Sequence, residues 1–278
     1  MNSMNASDVK DFIKNLDDLS TLPVVVGKIL SIVGRENCSI EELDNLIAHD
    51  QAMAERVIRA ANSVFFGHSG QVLDIRQAIL FLGFERIRSI AVGMSVMTIF
   101  PHHSSFNIKN LWIHCYEVAL AASVISDFVT MTSPRESFLS GLLHDIGRII
   151  FYIKDHDLFF KIPISEDMLE KEMEFFGCTH AEAGAWFAEA AGMPPEIIST
   201  TRYHHSPSKA EDFRDSVSIV SLAEAMCRMF SPRIEDDGMW TEEHDVILLE
   251  LGIDRKELAV VGEKLYISRK EAENFFTF

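Results

Sequence analysis

Cysteine is scarce in this chain, and what there is does not pair. The four cysteines stand at positions 38, 115, 178 and 227, and none has a neighbour at C-x-x-C spacing. This excludes a zinc ribbon or a dithiol redox motif and points to a reducing compartment, the cytoplasm. Positive charge is also short: 25 Lys and Arg against 42 Asp and Glu leave a formal charge of −17. A surface so acidic repels nucleic-acid phosphates and anionic lipid, so no nucleic-acid or membrane partner is expected. Long apolar runs are missing as well, since charge interrupts them every few residues. No membrane span is expected, and the opening "MNSMNASDVKDF" has no apolar signal core. Low-complexity linkers and internal repeats are likewise absent.

What is present is a chain of 278 residues, 47% apolar, enough for a substantial core. Helical periodicity dominates, and strand-like alternation is hard to find. A short amphipathic helix is expected over Asp8 to Leu19, with Phe12, Ile13, Leu16 and Leu19 on one face. A second opens at Pro23 and stops at Gly34. Ser39 and Glu42 form a capping-box signature, Asp50 and Asp74 can cap further helices, and Gly83 can end one. A longer helix is expected from Phe84 towards Phe100, closed by Pro101. Beyond it, a long helix runs through "NLWIHCYEVALAASVISDFV". Pro134 suits the first turn of the next, which is expected to carry His144 and Asp145 in one continuous helical segment. Ser165 can cap another helix. Thr179 and Glu182 form a further capping box, which puts His180 in a first turn. "PPEIISTTRYHH" should end a helix at a histidine pair, and "SVSIVSLAEAMCRMF" embeds Glu224 in an apolar helix. One or two more helices complete an all-α bundle of two packed halves, residues 1–106 and 107–278.

The second half carries the chemistry. His114, His144, Asp145, His180, His204, His205 and Glu224 occur in that order. Imidazole and carboxylate ligands suit divalent first-row ions: iron, manganese, nickel or zinc. No local motif binds metal here, so ligands would have to converge from five helices. Each residue alone has a plainer reading. His114 can be a satisfied core histidine, His180 a solvent-facing one, and His204 and His205 a polar helix end. Glu224 can lie on a solvated face, and Arg148 can be a surface arginine. A buried carboxylate beside His144, however, needs a partner.

The ordered set H…HD…H…HH…carboxylate resembles the HD superfamily of metal-dependent phosphohydrolases. The first half sharpens this. "LPVVVGKIL", "AHDQAMAERVIRAANSVFFG" and "AILFLGFERIR" resemble the HDOD family, the HD-related output domain of bacterial signalling proteins, from about Leu19 to about Phe230. The resemblance implies an HDOD-specific N-terminal helical bundle, an HD-like C-terminal bundle and a role in signal transduction. It also implies a metal set of His114, His144 and Asp145, with His180, His204 and His205 as in branches that hold two ions. Asp145 would bridge the ions, and Arg148 would hold a phosphate oxygen. The superfamily's final aspartate would fall near Ala223 or Glu224, where a glutamate stands. After the histidine pair the chain reads "SPSKA" rather than glycine-tyrosine-proline, so cyclic-di-GMP hydrolysis is not expected.

Two functions follow as expectations. One is a regulatory module that binds a signalling protein or a phosphate-containing small ligand. The other is an active phosphohydrolase using Asp145 and Arg148. The paired Phe65 and Phe66 would serve either as a contact surface or, by preference, as core between the halves.

Overall fold

The computed structural model describes residues 4–16, 39, 41–43, 47, 51–62, 72–84, 87–88, 90–91, 106–129, 134–162, 167–230 and 240–275. Among them every regular element is a helix. In chain order these are α1 (Ala6–Asn15), α2 (Gln51–Ala61), α3 (Ile75–Leu82), α4 (Phe106–Asp127), α5 (Pro134–Leu143), α6 (Ile146–Lys154), α7 (His156–Phe159), α8 (Met168–Phe176), α9 (His180–Ala190), α10 (Pro195–Tyr203), α11 (Arg214–Phe230), α12 (Glu242–Leu251) and α13 (Arg255–Phe275). A 3-10 turn, Pro207–Lys209, follows α10. No helix among the described residues is long and apolar enough to cross a membrane.

The helix ends follow the chain's own punctuation. Ser39 and Glu42 exchange capping bonds, Ser39 N–H to the Glu42 carboxylate at 2.8 Å and Glu42 N–H to Ser39 Oγ at 3.1 Å. Asp74 caps α3 and Gly83 ends it. Thr179 and Glu182 close a full capping box on α9. One start is displaced. The first helix opens at Ala6, capped by Asn5, and Asp8 is the third residue of that capping box rather than the start. The side chain of Asn5 takes two first-turn amides, which makes it the better cap. Leu19, the helix from Pro23 to Gly34, the caps at Asp50 and Ser165, Phe65, Phe66 and Pro101 lie outside the described residues.

The centre of the fold is α4. Residues 111–126 are all buried, as expected of a helix that is apolar all round. It packs on α5, α11 and α13. Gly141 lets α5 come close, since a Cβ there would stand 2.8 Å from the Ala119 Cα. Helix α9 crosses α6 just as tightly, and α1 lies against both. These two close crossings bring the second half's polar side chains to a common interior.

The doublet corrects the sequence reading. His144 and Asp145 do not ride on a continuous helix: α5 ends at Leu143, α6 starts at Ile146, and the pair forms the turn between them. No glycine or proline marks the break. His144 Nδ1–H donates to the Gly141 carbonyl at 2.7 Å, a local bond that competes with the helical pattern. Asp145 sits at φ −97°, ψ 14°, in the sparsely populated bridge region.

Candidate metal centre

The turn aims both side chains inward. Asp145 holds the N-cap position of α6, where an aspartate normally accepts a first-turn amide. Its carboxylate makes no such bond. Instead Oδ1 lies 3.1 Å from His180 Nε2 and 3.8 Å from His204 Nε2, while Oδ2 lies 3.6 Å from His144 Nε2 and from Arg148 Nη1. Each oxygen therefore faces a different set of groups.

Three of the histidines are held by the nitrogen they turn away from this centre. His144 Nδ1 donates to the Gly141 carbonyl and His204 Nδ1 to that of Thr201, at 2.8 Å. His180 Nδ1 donates to Glu172, 2.8 Å from Oε2. Each bond fixes the ring and leaves Nε2 inside, as in metal-binding histidines. His180 Nε2 stands 3.3 Å from His204 Nε2 and 3.0 Å from His205 Nε2. Nitrogens bound about 2.0–2.1 Å from one ion stand about 2.8–3.4 Å apart at octahedral or tetrahedral angles. The spacing suits N–H···N hydrogen bonds and equally suits ligands that share an ion.

All six residues from His114 to His205 come together, and Glu224 joins them. Three overlapping groups have their ligand atoms within 4.8 Å of one another: Asp145 with His180, His204 and His205; His114 with His144 and Asp145; and His144 with His204 and Glu224. They come from α4, the α5–α6 turn, α9, the end of α10 and α11. His114, His144, Asp145, His180, His204 and Glu224 are all buried. Nε2 of His114 and of His144 and Oδ2 of Asp145 are buried without a hydrogen-bond partner. Orphaned polar atoms of this kind cost free energy unless something occupies the space between them. A divalent transition ion fits that donor set.

Burial sets the protonation states. It pushes His114 down to about 3 and His204 to about 4, and lowers His205 well below the usual imidazole range. These rings are neutral at physiological pH, the form that binds metal. Burial also opposes charge on His180, but Glu172 and Asp145 outweigh it and raise that ring to about 10. Burial opposes ionisation of Asp145 as well, and His144, His180 and Arg148 outweigh it, holding the carboxyl well below its ordinary value. Without an ion, a proton on His180 supplies the positive charge this interior is arranged around.

Arg148 follows Asp145 on α6. It is 4% exposed, and its Nε and Nη1 have no hydrogen-bond partner. The surface reading of this arginine does not hold. Glu224 is paired with Arg228 one turn along α11, and its other oxygen is 4.0 Å from His205 Nδ1. A cavity of about 180 Å³ adjoins this end of the cluster, lined by His204, His205, Glu224, Arg228, Thr241 and His244 among others. It is smaller than the roughly 300 Å³ or more of ordinary small-molecule sites.

Two residues escaped sequence reasoning. Glu172 gives no motif, yet it shares the buried stripe of α8 with Met168 and Phe176 at i, i+4 and i+8. A carboxylate in that register is the signal that was available. Arg228 stands four residues from Glu224, a spacing that pairs charges on a helix.

The HDOD domain model matches residues 19–207, and the chain belongs to that family. The matched stretch contains every candidate ligand except Glu224. A crystal structure of a candidate phosphohydrolase from Shewanella amazonensis SB2B is 24% identical with a TM-score of 0.75, covering 96% of this chain and 98% of that one. A candidate signal transduction protein from Marinobacter aquaeolei VT8 is 18% identical with a TM-score of 0.74, covering 92% of this chain and 59% of that one. Both share the all-helical fold. An uncharacterized protein of Treponema pallidum (strain Nichols) is 24% identical over 222 residues, 77% of this chain and 43% of its own length. The chain thus spans less than half of that relative.

Proposed function

We propose that this protein is a signal-transduction module whose helical interior holds one or two divalent transition-metal ions. It acts by binding a signalling protein or a phosphate-bearing small ligand. The observation that carries the metal is the convergence of three Nδ1-anchored imidazoles on an Asp145 carboxylate that has abandoned its helix cap. The likeness to a candidate signal transduction protein supports the regulatory part. His114, His144 and Asp145 would hold one ion. Asp145, His180, His204 and His205 would hold the other. Glu224 keeps its charge beside Arg228 and stands within reach of both.

A second reading has its own support. The buried guanidinium of Arg148 offers unpartnered N–H donors beside Asp145, a geometry suited to a phosphate oxygen. With a bound ion to polarise a water or a phosphoryl oxygen, the same residues would serve phosphoester hydrolysis. In that reading Asp145 positions the ions and Arg148 orients the phosphate.

The test is elemental analysis of purified protein and of His144→Ala, followed by a panel of phosphomonoesters, nucleotides and cyclic dinucleotides. Stoichiometric metal lost in the mutant, with no turnover, supports the regulatory module. Turnover lost in both His144→Ala and Arg148→Ala promotes the hydrolase reading. A native protein that retains no metal and binds none when it is supplied overturns the metal in both.

A further inference from the structure

The histidines of the centre are not supported equally. His144 and His204 lean on neutral backbone carbonyls. His180 leans on a carboxylate. Glu172, 1% exposed, sets Oε1 3.0 Å and Oε2 2.8 Å from His180 Nδ1, and the same Oε2 accepts the His180 backbone N–H at 2.8 Å. One side chain thus fixes both the ring and the first residue of α9, with the helix N-terminus favouring its negative charge. A carboxylate behind an imidazole makes the opposite nitrogen a stronger donor. Burying Glu172 there is costly unless positive charge stands across the ring.

We infer that Glu172 is a positioning residue for the ion. Through it, the set of Asp145, His180, His204 and His205 binds more tightly than the set of His114, His144 and Asp145, and fills first. The first set has four donors against three, two of its nitrogen pairs already stand 3.0 and 3.3 Å apart, and it contains the carboxylate-backed ring. This rests on the metal-binding reading above, and the experiment separates the two.

The experiment is a titration of the full chain, stripped by chelator, with Mn²⁺ and with Zn²⁺ in competition with a chromophoric chelator. The native protein, Glu172→Gln, His205→Ala and His114→Ala are compared, with the melting temperature of each stripped protein. Glu172→Gln keeps the side chain's shape and one acceptor while removing the charge. It is expected to weaken the tighter event by about 10–100-fold and leave the weaker one in place. His205→Ala should abolish the tighter event, and His114→Ala the weaker. A purely structural Glu172 would lower the melting temperature of the stripped protein and weaken both events alike, which overturns the inference. So does unchanged affinity in Glu172→Gln, or loss of the tighter event in His114→Ala instead of His205→Ala. If Glu172→Gln does not fold, the two histidine variants still decide which set fills first. A native protein that binds neither ion overturns the metal reading itself, and this inference with it.

Discussion

Gly147 lies against the backbone of His180 so closely that a Cβ on it would stand 1.9 Å from the His180 carbonyl oxygen and 2.7 Å from the Gly184 nitrogen. The contact is backbone to backbone, so no side chain can swing aside. It holds the helix after the doublet against the helix that presents His180. Glycine inside a helix ordinarily costs about 1 kcal/mol relative to alanine. Here overpacking wins, at about 3 kcal/mol or more. Gly147→Ala should therefore destabilise the protein in urea unfolding and lower its metal content, because Asp145 and His180 can no longer meet.

Removal of metal should be visible as a loss of stability. An ion present at a hundred times its Kd adds about 2.7 kcal/mol to the native state. For a chain of this size that is a shift of about 5–10 °C in melting temperature. Chelator should lower the native protein's melting temperature by that order and leave His144→Ala almost unmoved. Equal shifts in both would place the ion elsewhere.

Arg228 and Glu224 form a pair with little exposure, 14% and 5% of their side chains. Removing one member of such a pair strands the other, at about 3–5 kcal/mol. Arg228→Met should thus cost about 3 kcal/mol in the stripped protein. The cost should be smaller in the metal-loaded form, where Glu224 has an ion near His144 and His204 to face. Thermal unfolding with and without metal measures the difference, and an identical cost in both states would separate Glu224 from the centre.

A pH dependence arises away from the centre. Burial and the neighbouring Glu136 raise the Glu196 carboxyl to about 7, against the hydrogen bond from Ser216. A folded-state value above the unfolded 4.5 means that the native state holds the proton more tightly. The contribution is complete below about pH 4.5 and is lost as pH rises through about 7. With partial solvent screening it amounts to about 1–2 kcal/mol. Glu196→Gln should gain relative to the native protein between pH 6 and 8, read from urea midpoints across that range.

Much of this was legible because local rules and the fold agree. Asn5 apart, the caps at Ser39, Asp74 and Thr179 stand where the residue types put them, since capping is a matter of a few neighbouring bonds. The candidate ligands were legible as an ordered set, through the resemblance to the HD superfamily, since each residue alone had a plainer reading. The break at His144–Asp145 was not, since neither a glycine nor a proline stands at it. The bond to Gly141 and the inward pull on Asp145 belong to the folded interior. Gly147 gave no sign of its contact either, because the partner backbone lies 33 residues away in the sequence. Glu172 was partly legible. Its register on the buried stripe of α8 was readable, but its partner was not.

His180 and His204 present their Nε2 atoms from rings anchored outside the centre, by Glu172 and by the Thr201 carbonyl, so this pair cannot widen without disturbing α9 or the end of α10. Calcium, which seeks six to eight oxygens at about 2.3–2.6 Å, and magnesium, which also prefers oxygen and dehydrates reluctantly, both meet nitrogen there. A donor set of three imidazoles and one carboxylate is matched instead to the transition ions.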